Sequence, residues 1–449
     1  METSEEQKIH RMNKFYGAIG AVVEWYDLML YGYLAVVFAR VFFPETAGPG
    51  VALAGALGGF AIGFLMRPVG GLFFGWMGDR HGRKLALMVA ISMMTVPMLG
   101  TALLPGYAEW GWLAPVLLIL MRMVMGFSSG GEYSGTLVFL VEGAKRGHRG
   151  RTTAIATAYS GVGILLASAV VTVLSLLTTD EQMDTWGWRV PYLFGSLIIV
   201  VAIFMRSKMR ETPRFEALAE AGQISETPLR DAVRMHWRTI LAIMCLAGYG
   251  GVTYFLVLTY LVSYLENSVG IGHDQALILG TVLAALFVVT AFAFGRFTDR
   301  VGRKKPMLWS AVAFVVISVP VFLLLNTGNL VLIYAASLVL IVPVLAFNGA
   351  MYVAVTEYLP TQQRAAGMGI GYNLGVALFG STAPFVAQLL INATGRPVIP
   401  AYYLVFASLL IIPVILKLPE TAFDKLEDVT GAVPIQHAPA PPEKSPETP

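Results

Sequence analysis

Five ionisable side chains stand inside stretches that are otherwise apolar: Glu24 and Asp27 in segment 15–39, Arg67 in 53–76, and Arg122 and Glu132 in 113–141. A charge at mid-membrane costs at least about 2.5–3.5 kcal/mol on insertion scales, so such side chains pair, line water, or do both. Their types suit two kinds of chemistry. A carboxylate whose surroundings alternate between dry and arginine-paired can take up and release a proton, and a guanidinium presents a two-pronged fork to a substrate carboxylate. Glu24 and Asp27 lie three residues apart and so share a helix face. Asp27, Glu24 and Glu132 are therefore the candidates for carrying a coupled proton, and Arg122 and Arg67 for meeting a substrate. Counted along their helices, Glu24, Arg67 and Glu132 fall at one depth, while Asp27 and Arg122 fall nearer the midplane. That ordering sets Arg122 beside Asp27 and Arg67 beside both Glu24 and Glu132; read as fixed structural pairs, they are Arg122–Asp27 and Arg67–Glu132.

The second half of the chain offers neutral polar groups instead. Tyr249, Tyr254, Tyr260 and Tyr264 occupy segment 239–265, Asn348, Tyr352 and Thr356 recur every fourth residue in 330–357, and Asn373 lies in 366–392. An Asn among lipid tails needs a hydrogen-bond partner, which places Asn348 and Asn373 against a cavity or a neighbouring helix. Tyr254, Asn348, Tyr352 and Asn373, with Tyr26 on the first helix, are the further substrate-contact candidates. Tyr264, near a span end, reads as an interfacial belt residue.

The elements that must position these groups follow from composition. The chain has 449 residues, 56% hydrophobic and 13% charged, whereas a soluble chain is about 25% charged. Twelve apolar stretches are long enough to span a bilayer: 15–39, 53–76, 85–105, 113–141, 152–177, 191–206, 239–265, 275–296, 306–325, 330–357, 366–392 and 400–417. With the N-terminus inside, 26 of the 31 Lys and Arg fall in inner segments and only Arg40, Arg189 and Arg396 in outer ones, the pattern of the positive-inside rule. The predicted fold is all-α: twelve transmembrane helices in two pseudo-symmetric six-helix bundles, both termini cytoplasmic. The expected divisions are a cytoplasmic N-terminus (1–14), a first bundle (15–206), a charged linker carrying a short surface helix (207–238), a second bundle (239–418) and a proline-rich disordered tail (419–449). The acidic start lacks the features of a cleavable signal, so the first span is expected to act as the insertion signal.

Several function classes are excluded. All six histidines fall in loops or tails, and no span holds a nucleophile–base constellation, which argues against an intramembrane enzyme. No phosphate-binding loop of the G-x-x-x-x-G-K-[ST] type occurs. The single Cys245 leaves no internal disulfide and no cysteine-based metal cluster. No metal, organic cofactor or nucleic-acid partner is expected; the coupling ion is a proton.

The halves repeat. Gly75-W-M-Gly78-Asp79-Arg80-H-Gly82-Arg83-Lys84 is answered 220 residues later by Gly295-R-F-T-Asp299-Arg300-V-Gly302-Arg303-Lys304. Glu142 with Arg149 is answered by Glu357 with Arg364, and Tyr159-S-G-V-G by Tyr372-N-L-G-V. The doubled G-x-x-x-D-R-x-G-R-K loop resembles the signature of the major facilitator superfamily. Glu24-Trp25-Tyr26-Asp27, Gly63-F-L-Met66-Arg67-Pro68, Arg122-M-V-M-Gly126-F-S-S-Gly130-Gly131-Glu132-Tyr133, Trp186-G-Trp188-Arg189-V-Pro191 and Glu211-Thr212-Pro213 narrow the resemblance to its metabolite:proton symporter family, which includes shikimate, α-ketoglutarate, citrate and proline/betaine permeases. The resemblance implies that Gly75, Asp79, Arg80, Gly82 and Arg83, with Asp299, Arg300, Gly302 and Arg303, form cytoplasmic gate motifs. It implies a monomeric secondary transporter of a bacterial inner membrane, embedded in lipid and working by alternating access. The expected cargo is a small organic acid, such as a di- or tricarboxylate, imported with protons. The alternatives are a proline/betaine-type zwitterion symporter, and a uniporter or exchanger of the same fold.

Overall fold

The computed structural model describes residues 12–44, 49–424 and 426, and all regular structure among them is helical. Most of the expected tail and the first eleven residues lie outside the described residues. Fifteen helices matter here. In the first half they are α1 (Met12–Tyr33), α2 (Ala35–Phe42), α3 (Pro49–His81), α4 (Arg83–Leu103), α5 (Leu113–Glu142), α6 (Arg149–Leu177) and α7 (Arg189–Ser207). A surface helix α8 (Pro213–Glu220) follows. The second half holds α9 (Pro228–Tyr254), α10 (His273–Val301), α11 (Lys304–Leu325), α12 (Leu330–Glu357), α13 (Arg364–Gly375), α14 (Ala383–Thr394) and α15 (Ile399–Lys417).

Among the described residues, ten helices are each long and apolar enough to cross a membrane, and α1 with α2, bent by 64° at Leu34, makes an eleventh. The second expected span lies within the 33-residue α3. The linker differs from expectation at its far end. Pro228, suited to a first helical turn, and Asp231, which accepts hydrogen bonds from the Ser225 and Thr227 hydroxyls, start α9 well before 239. The helix then kinks at His236 and enters the apolar span.

Packing repeats along with sequence. Helix α4 lies on α7 as α11 lies on α15, α3 on α5 as α10 on α12, and α1 on α6 as α9 on α13. The halves meet along two matching seams, α3 against α13 and α6 against α10. Both seams depend on glycine. A Cβ on Gly71 would stand 2.3 Å from the Gly369 carbonyl oxygen, and one on Gly150 would stand 2.4 Å from the Gly295 oxygen. Helix α9 widens into a π turn at Phe255–Tyr260, and α13, which packs against it, does so at Val376–Gly380. Such bulges recur at functional sites because they re-aim side chains within a continuous helix.

Candidate functional site

At the ends of α3 and α10, the repeated loops carry Gly82 at φ +106° and Gly302 at φ +104°, a backbone state open to glycine alone at little cost. The tight turns aim the preceding aspartates across the seams. Asp79 accepts the Ala365 and Ala366 amides at 3.1 and 2.7 Å, satisfying the first turn of α13. Asp299 does the same for α6, taking the Gly150 and Arg151 amides at 2.7 and 3.0 Å. Each half thus caps a helix of the other, where amide donors and the helix dipole favour an anion.

Two glutamates bind the layer together. Glu142 pairs with Arg83 of its own half at 3.1 Å and with Arg364 of the other at 2.9 Å; Glu357 pairs with Arg303 at 3.1 Å and with Arg149 across the interface at 2.7 Å. All of these side chains are buried. Thr212 donates to Glu142 and Thr421 to Glu357, while Glu211 accepts the Lys84 amide and Glu420 the Arg303 and Lys304 amides. Burial raises the Glu211 carboxyl above its ordinary range, against the Thr212 and Lys84 amides and the Arg83 guanidinium. Arg80 reaches the linker at the Glu226 carbonyl, Gly75 lies under the Ala365 carbonyl, and Arg300 is exposed. The face with the charged loops, called inner below, is therefore closed. Sequence inspection found Glu142, Arg149, Glu357 and Arg364 as a repeat but not as partners exchanged between halves.

Above this layer lies a cleft between the halves, of about 460 Å³ with its open side included. Its walls include Trp25 of α1, Phe64 and Arg67 of α3, Tyr133 of α5, Tyr254 of α9, Phe255 of the π turn, Asn348 and Tyr352 of α12, and Tyr372 of α13, with Glu24 beside Arg67. Rings meet across it: Trp25 with Tyr254 at 5.6 Å, Phe64 with Phe255 at 6.0 Å, and Tyr133 with Tyr352 at 5.6 Å and with Tyr372 at 5.9 Å. At 1.5 Å per residue, Phe64 stands about 26 Å from the inner end of α3 and Tyr133 about 14 Å from that of α5. The phenylalanine pair is thus the roof of the cleft and the tyrosines are its floor. Below the floor, Tyr352 also borders a smaller inner chamber with Gly150, Thr153, Thr157 and Gly295.

The intramembrane charges pair as the depths allow, with one departure from the fixed-pair reading. Arg122 Nη1 donates to both oxygens of Asp27 at 2.9 and 3.1 Å, the predicted pair. Of the two carboxylates at its depth, Arg67 pairs with Glu24, at 2.7 Å, and not with Glu132 as in the fixed-pair reading. Glu132 belongs to Arg206, whose Nη1 lies 2.7 Å from Oε2 and whose other donors reach the Leu87 and Gly17 carbonyls, and both side chains are fully buried. Arg206 stands one residue before the end of α7, so its base turns inward although the sequence places it among loop charges. Asp27 and Arg122 line a cavity within the first half, and Glu24 and Arg67 border both that cavity and the cleft. Of the other candidates, Tyr254, Asn348 and Tyr352 line the cleft. Tyr26 does not; its hydroxyl donates to the Pro191 carbonyl in the core of the first half. Asn373 bridges the seam through Gly130 O at 2.8 Å. Trp25, Phe64, Tyr133, Phe255 and Tyr372 were missed as site residues, since an aromatic in a span reads first as packing.

A family model described as Major Facilitator Superfamily matches residues 20–384. The chain belongs to that superfamily. This major facilitator is 32% identical over 429 residues to the proline/betaine transporter of Salmonella typhimurium, covering 92% of this chain and 84% of that one. It is 33% identical over 426 residues to the glycine betaine/proline/ectoine/pipecolic acid transporter of Dickeya dadantii, with the same coverage of 92% and 84%. Among solved structures, a proton:xylose symporter bound to 6-bromo-6-deoxy-D-glucose superposes with TM-score 0.79 at 16% identity, covering 94% of this chain and 98% of that one. The inward open xylose transporter of E. coli gives TM-score 0.62 at 16% identity over 93% and 98% of the two chains. The major facilitator is a multi-span transporter and not an enzyme, and its relatives fit the expected bacterial inner membrane.

Proposed function

We propose that this major facilitator imports a small zwitterion of the proline/betaine class together with a proton, by alternating access through twelve spans with both termini inside. One observation carries the substrate class: the cleft is walled by seven aromatic side chains and a single balanced ion pair, Glu24–Arg67. Aromatic faces attract a substituted ammonium, most strongly where water is excluded. A di- or tricarboxylate would need an excess of cationic groups, and here Arg122 and Arg67 are each matched by a carboxylate. The names of the relatives support the zwitterion over the organic acid.

Asp27 is the proposed proton carrier. It sits 2.9 Å from Arg122 in a cavity adjoining the cleft, so protonating Asp27 releases the guanidinium and breaks the pair. Proteoliposomes with an outside-acid pH gradient should accumulate radiolabelled glycine betaine or proline, and a protonophore should abolish the accumulation. Asp27→Asn should lose gradient-driven accumulation and keep substrate exchange. Accumulation of citrate or α-ketoglutarate in place of the zwitterions would overturn the substrate class, and protonophore-insensitive uptake would overturn the coupling.

A further inference from the structure

The function proposed above uses the Glu24–Arg67 pair only as part of a wall, yet the pair has three unusual features. Both side chains are buried, at 3% and 7% exposure, and among the described residues no other carboxylate or guanidinium borders the cleft. Glu24 Oε2, Arg67 Nε and the neighbouring Trp25 Nε1 have no hydrogen-bond partner, although a buried polar group of this kind is nearly always satisfied. The pair also joins α1 to α3 within one half, so it can open without breaking any contact that holds the two halves closed.

An ion pair in a cleft wall carries the same two charges as a zwitterion, facing the other way. We infer that Glu24 and Arg67 separate when substrate enters and that each takes one pole: Glu24 the cationic nitrogen, Arg67 the carboxylate, with the Trp25 indole N–H as a second donor to that carboxylate. The inference rests on the zwitterion reading and deepens it. It moves Glu24 from proton carrier to substrate ligand and leaves the proton to Asp27. Both charges of the substrate are then held by the first half, while Tyr254, Phe255, Tyr352 and Tyr372 of the second half close over its apolar body.

The arrangement sets specificity by subtraction. A ligand with only one pole leaves either Glu24 or Arg67 buried without its partner, and a site built around a polar partner strongly rejects an analogue that lacks it. Three ligands of one shape separate the roles: glycine betaine, choline, which lacks the carboxylate, and 3,3-dimethylbutyrate, which carries carbon in place of the cationic nitrogen. Competition in counterflow through proteoliposomes, which needs no proton gradient, reads their relative affinities. Wild-type protein should prefer betaine to both analogues by at least tenfold. Glu24→Gln should remove the preference over 3,3-dimethylbutyrate, and Arg67→Gln the preference over choline. Trp25→Phe keeps a ring and loses only the N–H; it should weaken both carboxylate-bearing ligands severalfold and leave choline unchanged, which serves as the test should either charge variant fold poorly. If the variants lower all three ligands in equal proportion while wild type exchanges betaine, the inference is wrong and the function proposed above stands. If wild type exchanges no zwitterion, both fall together.

Discussion

At the scale of single residues, the buried charges sort into those that hold the protein together and those poised to change partners. Glu132 and Arg206 are fully buried, and Thr136 and two backbone carbonyls add to the bonding between them. Removing one member of such a pair strands the other in a dry interior, at a cost of about 3–5 kcal/mol. Glu132→Gln should therefore lower the thermal unfolding temperature in detergent markedly, whereas Asp27→Asn, beside a cavity, should move it much less. A Glu132→Gln protein that melts like wild type but fails in proton-driven uptake would return Glu132 to the coupling role. The five intramembrane charges were legible in sequence because the stretches around them are so apolar. Their partners were only partly legible. Depth along a helix follows from counting, but which helix faces which depends on rotation and packing. Arg206 escaped notice because an arginine at a span end is expected to reach water, and here it turns back toward Glu132.

At the scale of elements, the seams between halves rest on backbone approaching backbone. Gly367, Gly371 and Gly375 recur every fourth residue, a spacing that lets helix backbones approach closely for packing and sliding. In the structure they serve packing inside the second half: Gly371 lies on Ile240 and Ile243 of α9, Gly375 on the Met244 carbonyl, and Gly367 on Leu359. The contact between halves uses Gly369, one helical step aside, where a Cβ would stand 2.0 Å from the Gly71 oxygen. Spacing alone does not distinguish the two faces, because both are small-residue surfaces of one short helix. Gly369→Val should keep each half folded but prevent α3 and α13 from closing. The expected outcome is a protein held open on its inner face, with Thr157→Cys in a Cys245→Ala background labelled rapidly by an impermeant thiol reagent from that side. Labelling as slow as in the unsubstituted seam would show that the glycine contact does not govern closure.

At the scale of the whole molecule, the 220-residue repeat does more than duplicate a loop. Arg149 and Arg364 start equivalent helices, α6 and α13, and each crosses to the glutamate of the opposite half, while Arg83 and Arg303 hold those same glutamates from their own side. Each glutamate is thus shared between one bond that stabilises its half and one that closes the inner face. Arg149→Gln removes only the second kind: Glu357 keeps Arg303 and the Thr421 hydroxyl, so no carboxylate is left bare and the fold should survive. Asp299 still caps α6, and the Arg364–Glu142 bond still spans the other seam, so the closed state is weakened and not abolished. Arg149→Gln should therefore raise the inner-side reactivity of Thr157→Cys about tenfold, the equivalent of about 1.4 kcal/mol in the closing equilibrium. Concentrative uptake should fall while exchange persists, because binding-site residues are untouched. Arg364→Gln should shift reactivity in the same direction but also lower thermal stability, because Arg364 donates to the Thr356 and Leu359 carbonyls of its own half as well, and the two changes together should exceed either one. Equal reactivity in all of these proteins would mean that the exchanged pairs hold the halves in register without setting how often they part.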